Sequence, residues 1–428
     1  MTTKTNTYAH SFFVGSFNGK PQPTTLDDKI WKKEVLSDKE YRILCSMYYR
    51  SHVDAMMEAE HQSRPDFLNQ VRHYRHEVDK TVEMILDKKT GRQYKFKLNN
   101  LHLYFFPLDI VLVGIEIDET GADLDDLTKA HWWLANWKDC YQDFTTDSLK
   151  EAVAPLAKFI KKQNIEDLIE EGNNMKVFQV VQTGDEQPED ALLYEIANFI
   201  PIGSVNGNVY HTPNKDYYDH IMKNNSVAPF QNWKALALVD SFTVLVSKSE
   251  KKFNDWPYMQ CYYPLVFLRC VYEKTYCVSR NIAYRLNRAK GNLLDEIADM
   301  EKYYSYENIS YNFLPTMLYR KMAQGMEIED DKREVSKQIK ERIREKRKQK
   351  EEKETRNRSL ALAFVSVFAV FSTAWGLYSL VEKSKWFEGY MCCFARAFIV
   401  VAVLAVVVLL LYIFVFNRNK VKNNDSLK

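Results

Sequence analysis

The stretch FSTAWGLYSLVEKSKWFEGY, residues 371–390, leaves one uncharged run and leads into another. Residues 359–381 carry no charge, and neither do residues 397–416, AFIVVAVLAVVVLLLYIFVF. A helix needs roughly 20 apolar residues to cross a bilayer core, so either run is long enough. The sequence therefore predicts a two-span hairpin, 359–381 and 397–416, joined by a short external link over 382–396. An apolar hairpin buried in a soluble core is the competing reading, and the second run opposes it by being apolar all round.

The flanks orient the hairpin. KERIREKRKQKEEKETRNR (340–358) precedes the first span, and NRNKVK (417–422), in the basic tail 417–428, follows the second. The link EKSKWFEGYMCCFAR (382–396) is close to neutral. Positive charge stays on the cytosolic side, which predicts a multi-pass protein of the inner (cytoplasmic) membrane with both termini cytosolic. Trp375, Tyr378, Trp386 and Tyr390 fall where an interfacial aromatic belt belongs. Along the first span, Ser359, Ala363, Ser366, Ala369, Thr373 and Gly376 recur at spacings of four, three, three, four and three, on one helical face. Such a stripe allows close packing in lipid. In an oligomer it can line a narrow path with hydroxyls and backbone.

Upstream, the chain reads as a stalk and a soluble domain. After Pro315 no proline interrupts the helical composition, so a single helix is expected from about Pro315 to Leu380, with Gly325 its weak point. A second helical stretch, 264–304, is expected to fold back against it within a helical region over 261–358. The first 260 residues read as one mixed α/β domain. Strands are predicted at RQYKFKLNNLHLYFF (92–106), DIVLVGIEI (109–117), KVFQVVQT (176–183) and within WKALALVDSFTVLVSK (233–248). Helices are predicted at 38–60, 66–86, 123–138, 147–172 and 189–198, and Asn206-Gly207 in GSVNGN suits a hairpin turn.

The charge balance and cysteines bound the function. A formal net charge of +2 on 428 residues argues against a protein that coats nucleic acid, so no direct nucleic-acid partner is expected. MTTKTNTYAHSFFVG lacks the pattern of a cleaved export signal. The seven cysteines show no CxxC pair and no disulfide framework, which fits a reducing compartment.

Candidate chemistry is sparse. In RHYRH, His73 and His76 would share a helix face and offer two metal ligands, without an evident third. Asp118, Glu119, Asp123, Asp125 and Asp126 crowd one strand-to-helix connection; helix capping explains them, with a divalent-cation site as the alternative. Asp216, Tyr217, Tyr218 and Asp219 form a cluster that could stack a nucleobase and bond a ribose, or simply sit on a surface helix. No phosphate-binding glycine loop, nucleophile elbow or HExxH pair is present, and no catalytic residue is assigned.

Two C-terminal spans, a long preceding helix, an α/β domain and a basic tail together resemble the CorA family of cation channels. Locally, Trp375, Gly376, Leu377 and Tyr378 correspond to that family's aromatic-Gly-Met-Asn pore mouth, and Trp386, Gly389 and Tyr390 to its outer link. Leu377 and Tyr378 replace the Met and Asn, and the link carries no spare negative charge, which departs from a magnesium-attracting mouth. The degenerate signature is similar to that of CorA-like membrane effectors of type III CRISPR systems. That resemblance implies a funnel-shaped homo-oligomer, a pentamer, in the lipid bilayer, serving antiviral defence and opened by a nucleotide second messenger such as SAM-AMP. It also leaves Mg²⁺ as cargo or regulator in a divalent-cation transporter. A membrane-anchored binding protein without a pore stands as the reading from another class.

Overall fold

The computed structural model describes residues 7–18, 26–60, 71–108, 110–162, 174–184, 187–207, 210–247, 262–285, 304, 308–383, 397 and 401. It divides into two compact units, Met1–Gln338 and Ile339–Lys428.

The first unit is built on a nine-stranded sheet in the order β2-β3-β4-β5-β1-β6-β9-β8-β7. The strands are β1 (Tyr8–Asn18), β2 (Lys32–Glu34), β3 (Arg72–Asp87), β4 (Arg92–Phe106), β5 (Ile110–Thr120), β6 (Lys176–Gln182), β7 (Ser226–Phe230), β8 (Trp233–Ala237) and β9 (Ser241–Val246). All neighbours are antiparallel except β6 and β9. Helices α1 (Asp38–Met47) and α2 (Arg50–Met56) precede β3. Three more, α3 (Leu124–Ala135), α4 (Trp137–Asp143) and α5 (Asp147–Lys162), separate β5 from β6. Next come α6 (Asp190–Ala197), α7 (Lys215–Asn225), α8 (Tyr263–Arg285), α9 (Phe313–Gly325) and α10 (Ile328–Lys383).

Alternation assigns the two sheet faces. On β1, Ala9, Ser11 and Phe13 face one way and His10 and Phe12 the other. The first face packs Phe13, Val113, Ile115 and Leu103 against apolar residues of α3 and α5, such as Leu134 and Leu156. Each such side chain contributes about 1.5–3 kcal/mol when fully buried. On the second face α8 covers the sheet centre: Phe267 meets Phe178, with ring centroids 5.8 Å apart, and Tyr272 stacks on Phe106 at 4.4 Å.

Several local expectations are corrected. The segment 66–86 is not a helix; residues 72–87 form β3, paired with β4 through the turn that ends at Gly91, φ +66°. Its charged composition suits a helix, but Val82, Met84 and Leu86 alternate at strand period and bury against the core, and pairing overrides propensity. The helix expected over 38–60 breaks at Tyr48, which is extended (φ −118°, ψ 157°) so that its fully buried ring can donate from Oη to the Tyr262 carbonyl at 2.9 Å. Likewise 123–138 divides at Asn136 into α3 and α4. GSVNGN makes no hairpin: it lies between two helices, α6 and α7, where Glu195 accepts from the backbone N–H of Gly203 and Val205 at 2.9 and 2.8 Å.

The single helix expected from Pro315 is two. It stops at Gly325, and Glu327 at φ +57° turns the chain before α10 begins. A β-carbon on Gly325 would stand 2.6 Å from the Ala237 backbone, so only glycine lets α9 rest on β8 this closely.

In the second unit, α10 carries the first apolar run. The segment Ile328–Gly376 is long and apolar enough to cross a membrane, with mean hydropathy 1.7 over its most apolar window and none of that window buried. It is one candidate span among the described residues. The second run, 397–416, lies outside them except at 397 and 401, as do 384–396, the tail 417–428 and most of 286–307.

Candidate ligand-binding site

A cavity of 360 Å³ opens between the second face of the sheet and helices α1 and α8. Its floor is polar: His10 from β1, His73 from β3, Asn100 and His102 from β4, and Glu116 from β5. Its roof is apolar, with Ile43 and Leu44 of α1 and Leu265 and Leu268 of α8. Bulges after Glu77 in β3 and Leu98 in β4 keep the floor residues on one face despite the unequal lengths of the paired strands. A polar groove lined by Glu77, Asp79, Lys97 and Asp118 continues from the same His10, Arg75, Asn100 and Glu116.

The floor groups form a continuous chain of contacts. His10 Nδ1 lies 2.7 Å from Asp118 Oδ1, and its Nε2 lies 3.6 Å from Glu116 Oε1. Asn100 donates to Glu116 Oε2 at 2.5 Å, and His102 Nε2 approaches the same oxygen at 3.2 Å. His73 Nε2 sits 2.9 Å from His102 Nδ1, and the His73 ring stacks on Tyr104 at 4.1 Å and 13°.

Burial and neighbouring charges shift the acidities along this chain. Burial pulls the His10 pKa down, but the bond to Asp118 and the charges of Glu116, Asp118 and Glu119 leave it raised. Burial pushes Glu116 up, yet bonding and charge from His102, charge from His10 and the Asn100 bond carry it down to about 2. Glu116 is therefore an acceptor, and His102 donates to it from Nε2. Between His73 Nε2 and His102 Nδ1 one nitrogen donates and the other accepts, and His73 Nδ1 takes no part in that bond. That atom is buried without a hydrogen-bond partner among the described residues. Burial, His102 and Arg75 together hold the His73 pKa well below the ordinary value, so the ring stays neutral. The site thus presents a floor of histidine, asparagine and carboxylate groups, an apolar ceiling, and further carboxylates along the adjoining groove.

The residues singled out in the sequence are distributed differently. His73 belongs to this floor, but His76 does not: three residues on along a strand it faces the opposite side, beside Trp31 and the Ile30 carbonyl. The five carboxylates do not converge. Asp118 holds His10, whereas Glu119, its neighbour, points through the sheet to His131 at 2.9 Å. Asp123 caps α3 by accepting from the N–H of Asp125 and Asp126, Asp125 receives Ile202 N–H, and Asp126 pairs with Arg92. Among the described residues no group of three or more His, Cys, Asp or Glu is arranged to hold a metal ion.

Asp216, Tyr217, Tyr218 and Asp219 occupy the first turns of the surface helix α7 without forming one pocket. Tyr218 packs on Tyr194 at 5.1 Å, while Tyr217 is largely exposed. On α10 the hydroxyls of Ser359, Ser366 and Thr373 each donate to the carbonyl four residues back, at 3.0, 2.8 and 2.7 Å, so each is satisfied inside its own helix. Ala363, Ala369 and Gly376 share that helix, Trp375 is exposed, and the side chains of Leu377 and Tyr378 lie outside the described residues, as do Trp386, Gly389 and Tyr390.

Compared with protein-family models, curated proteins and solved structures, the chain matches none.

Proposed function

We propose that this chain is a ligand-gated membrane pore: a small molecule binds the His73–His102–Glu116 cavity, and α8 passes the event to the helix that carries the apolar run. The observation that carries this reading is the double duty of α8. Leu265 and Leu268 roof the cavity. The next residue, Arg269, bonds Glu273 at 2.8 Å, and Glu273 holds Lys332, at the start of α10, at 2.9 Å. Lys274 and Asp331 add a second bridge between the same two helices at 2.7 Å. A ligand that shifts α8 by a fraction of an ångström acts on α10 through the Glu273 carboxylate, which has no solvent exposure.

The resemblance to CorA-like effectors supplies the rest: a homopentamer in which Ser366 and Thr373 face the path, opened by an adenylate messenger such as SAM-AMP during antiviral defence. The polar floor of His10, Asn100 and Glu116 suits the hydrogen-bonding edge of a base, and the apolar roof suits its face. To move a population from 1:99 to 99:1, the ligand must favour the open arrangement by about 5.5 kcal/mol. Flux from proteoliposomes, with and without adenylate messengers and in K⁺ and Mg²⁺ buffers, tests the reading. Leakage that needs the nucleotide upholds it. Mg²⁺-selective flux indifferent to nucleotide returns the chain to divalent-cation transport, and no flux in any condition favours an anchored binding protein.

A further inference from the structure

The first cavity, that of His73, His102 and Glu116, holds two histidine rings in direct contact. His73 and His102 sit diagonally across the β3–β4 ladder, since His73 is opposite Tyr104 and His102 opposite Arg75. Their rings lie nearly parallel with centroids 5.2 Å apart, and His73 Nε2 is 2.9 Å from His102 Nδ1. One proton fits between those two nitrogens. A neutral imidazole carries one N–H and an imidazolium two, so the pair in contact holds one positive charge at most. Two charged rings would point N–H at N–H across 2.9 Å. The contact therefore cannot survive a second charge.

The shared proton also decides what the pair offers the cavity. His73 Nδ1 is buried without a hydrogen-bond partner among the described residues, and its ring lines the cavity. With the shared proton on His73, a neutral ring leaves Nδ1 an acceptor; with it on His102, Nδ1 carries the proton and donates.

Every element packed on the pair contributes a charged or titratable group. β3 supplies Arg75, which pairs with Glu34 of β2 at 2.8 Å. β4 supplies Tyr104, its hydroxyl 3.5 Å from His102 Nδ1, and β5 supplies Glu116, 3.2 Å from His102 Nε2. His10 of β1, Glu40 of α1 and Tyr262, just before α8, complete the wall. Glu116 is the carboxylate in contact with the pair, and it already serves His10 at 3.6 Å and Asn100 at 2.5 Å. Glu40 is engaged by the Ser37 hydroxyl and backbone N–H. Arg75 opposes further positive charge at His73.

One of the two rings is freer to move. His102 is buried, has the Phe12 ring edge-on at 5.4 Å, and belongs to a strand paired on both sides, with β3 and β5. His73 belongs to β3, whose far side pairs here with β2, three residues from Lys32 to Glu34 at the edge of the sheet. A strand with so little cover opens at lower free energy than the sheet centre.

We propose that the His73–His102 pair is an acid-operated latch on the first cavity: a second charge drives the rings apart, β3 parts from β4 over this stretch, and the cavity loses one wall. A cavity opened in this way holds its occupant less firmly, a consequence that rests on reading it as the ligand site; the opening itself does not depend on that reading. At pH 5.0 a solvent-exposed histidine, with the ordinary value of about 6.5, favours its charged form by about thirty to one. Opening that frees the second ring to take its proton should therefore become about thirtyfold more frequent between pH 7.5 and 5.0.

Hydrogen–deuterium exchange of the full chain in detergent, corrected for the intrinsic effect of pH on exchange, reads this opening. Residues 72–77 and 100–105 should gain about thirtyfold, and residues 177–182 at the sheet centre less than about threefold. That comparison separates the local opening from a general loss of stability in acid. His73→Gln and His102→Gln each leave one imidazole, with no second charge to accommodate, and each should bring the gain at 72–77 below about threefold. Two variants on different strands keep the test usable if one does not fold. Equal gains at 72–77 and 177–182, or the full gain in a folded variant, overturn the proposal. The readout needs no ligand, so absence of nucleotide-dependent flux leaves the latch standing, and exchange that ignores pH removes the latch while flux is read by itself.

Discussion

Lys332 Nζ lies 2.9 Å from Glu273 Oε2, and the Glu273 side chain has no solvent exposure at all. Arg269 reaches the other oxygen at 2.8 Å, and Tyr319 donates to the same carboxylate at 3.0 Å. Burial lowers the Lys332 pKa, but the charge of Glu273 and its hydrogen bond more than reverse this, and the ammonium is held charged. One carboxylate thus ties three helices, α8, α9 and α10, through groups that are costly to leave unpaired.

Removing a member of this cluster should separate binding from response. Arg269→Met leaves Glu273 under-compensated and is expected to cost about 3–5 kcal/mol. Lys332→Met, at the better-solvated end, should cost less, retain nucleotide binding and lose nucleotide-dependent flux. Denaturant unfolding in detergent, titration calorimetry and liposome leakage measure the three. Retained gating in Lys332→Met would remove the cluster from the transmission route.

Gly114 guards the size of the first cavity. A β-carbon there would stand 2.6 Å from the Phe12 ring and 3.1 Å from the His102 β-carbon. Gly114→Ala should push Phe12 into the space it lines, weakening ligand binding at least tenfold, with a stability loss of about 1–3 kcal/mol from overpacking. Unaltered affinity by calorimetry would place the ligand elsewhere.

Stability should fall on acidification earlier than carboxylates alone would cause. His52 is held well below the ordinary value of 6.5 by burial and by Arg269, and His73 by burial, His102 and Arg75. Below pH 6.5 the unfolded chain takes up protons that the folded chain refuses, which costs up to about 1.4 kcal/mol per pH unit for each group. His10 acts in the other sense: its folded pKa is raised, so its contribution is complete below 6.5 and is lost as pH climbs through the folded value. Glu116 stabilises above its ordinary value of 4.5 and loses that contribution as pH falls toward about 2. A denaturation midpoint that declines between about pH 6.5 and 5, and declines less in His73→Gln, is expected. A flat profile would contradict the buried neutral histidines.

The corner before α10 should respond oppositely to two substitutions. Gly325→Ala drives a methyl into Ala237 and is expected to destabilise by about 2 kcal/mol. Glu327→Gly relieves a left-handed backbone and should stabilise by up to about 1 kcal/mol. Thermal unfolding of the two variants beside the parent checks both signs.

Part of the sheet was legible in the sequence, because strands such as 109–117 are bounded apolar runs with strand-forming residues, whereas β1, β2 and β7 were not predicted. β3 was not, since its charges and long side chains suit a helix until β4 pairs with it. The site suffered from the same misreading. Helical spacing joins His73 to His76, whereas across the hairpin its partner is His102, 29 residues away. A signal was present: Asn100, His102 and Tyr104, then Glu116 and Asp118, place polar groups at every second position, opposite a face that carries Leu101, Leu103, Ile115 and Ile117. Nothing local announces which such row faces a cavity, because α1 and α8, which roof it, come from distant parts of the chain.

The place of β1 has a consequence for biosynthesis. It leaves the ribosome before the other eight strands of the sheet, yet it lies between β5 and β6, whose partner residues for Tyr8 are Thr120 and Gln182. Both edges of this apolar ribbon stay open until about a hundred further residues have been made, an interval in which unpaired strand edges are prone to wrong pairing. If the apolar run of α10 draws the ribosome to the membrane, it does so only after all nine strands of the sheet have been translated.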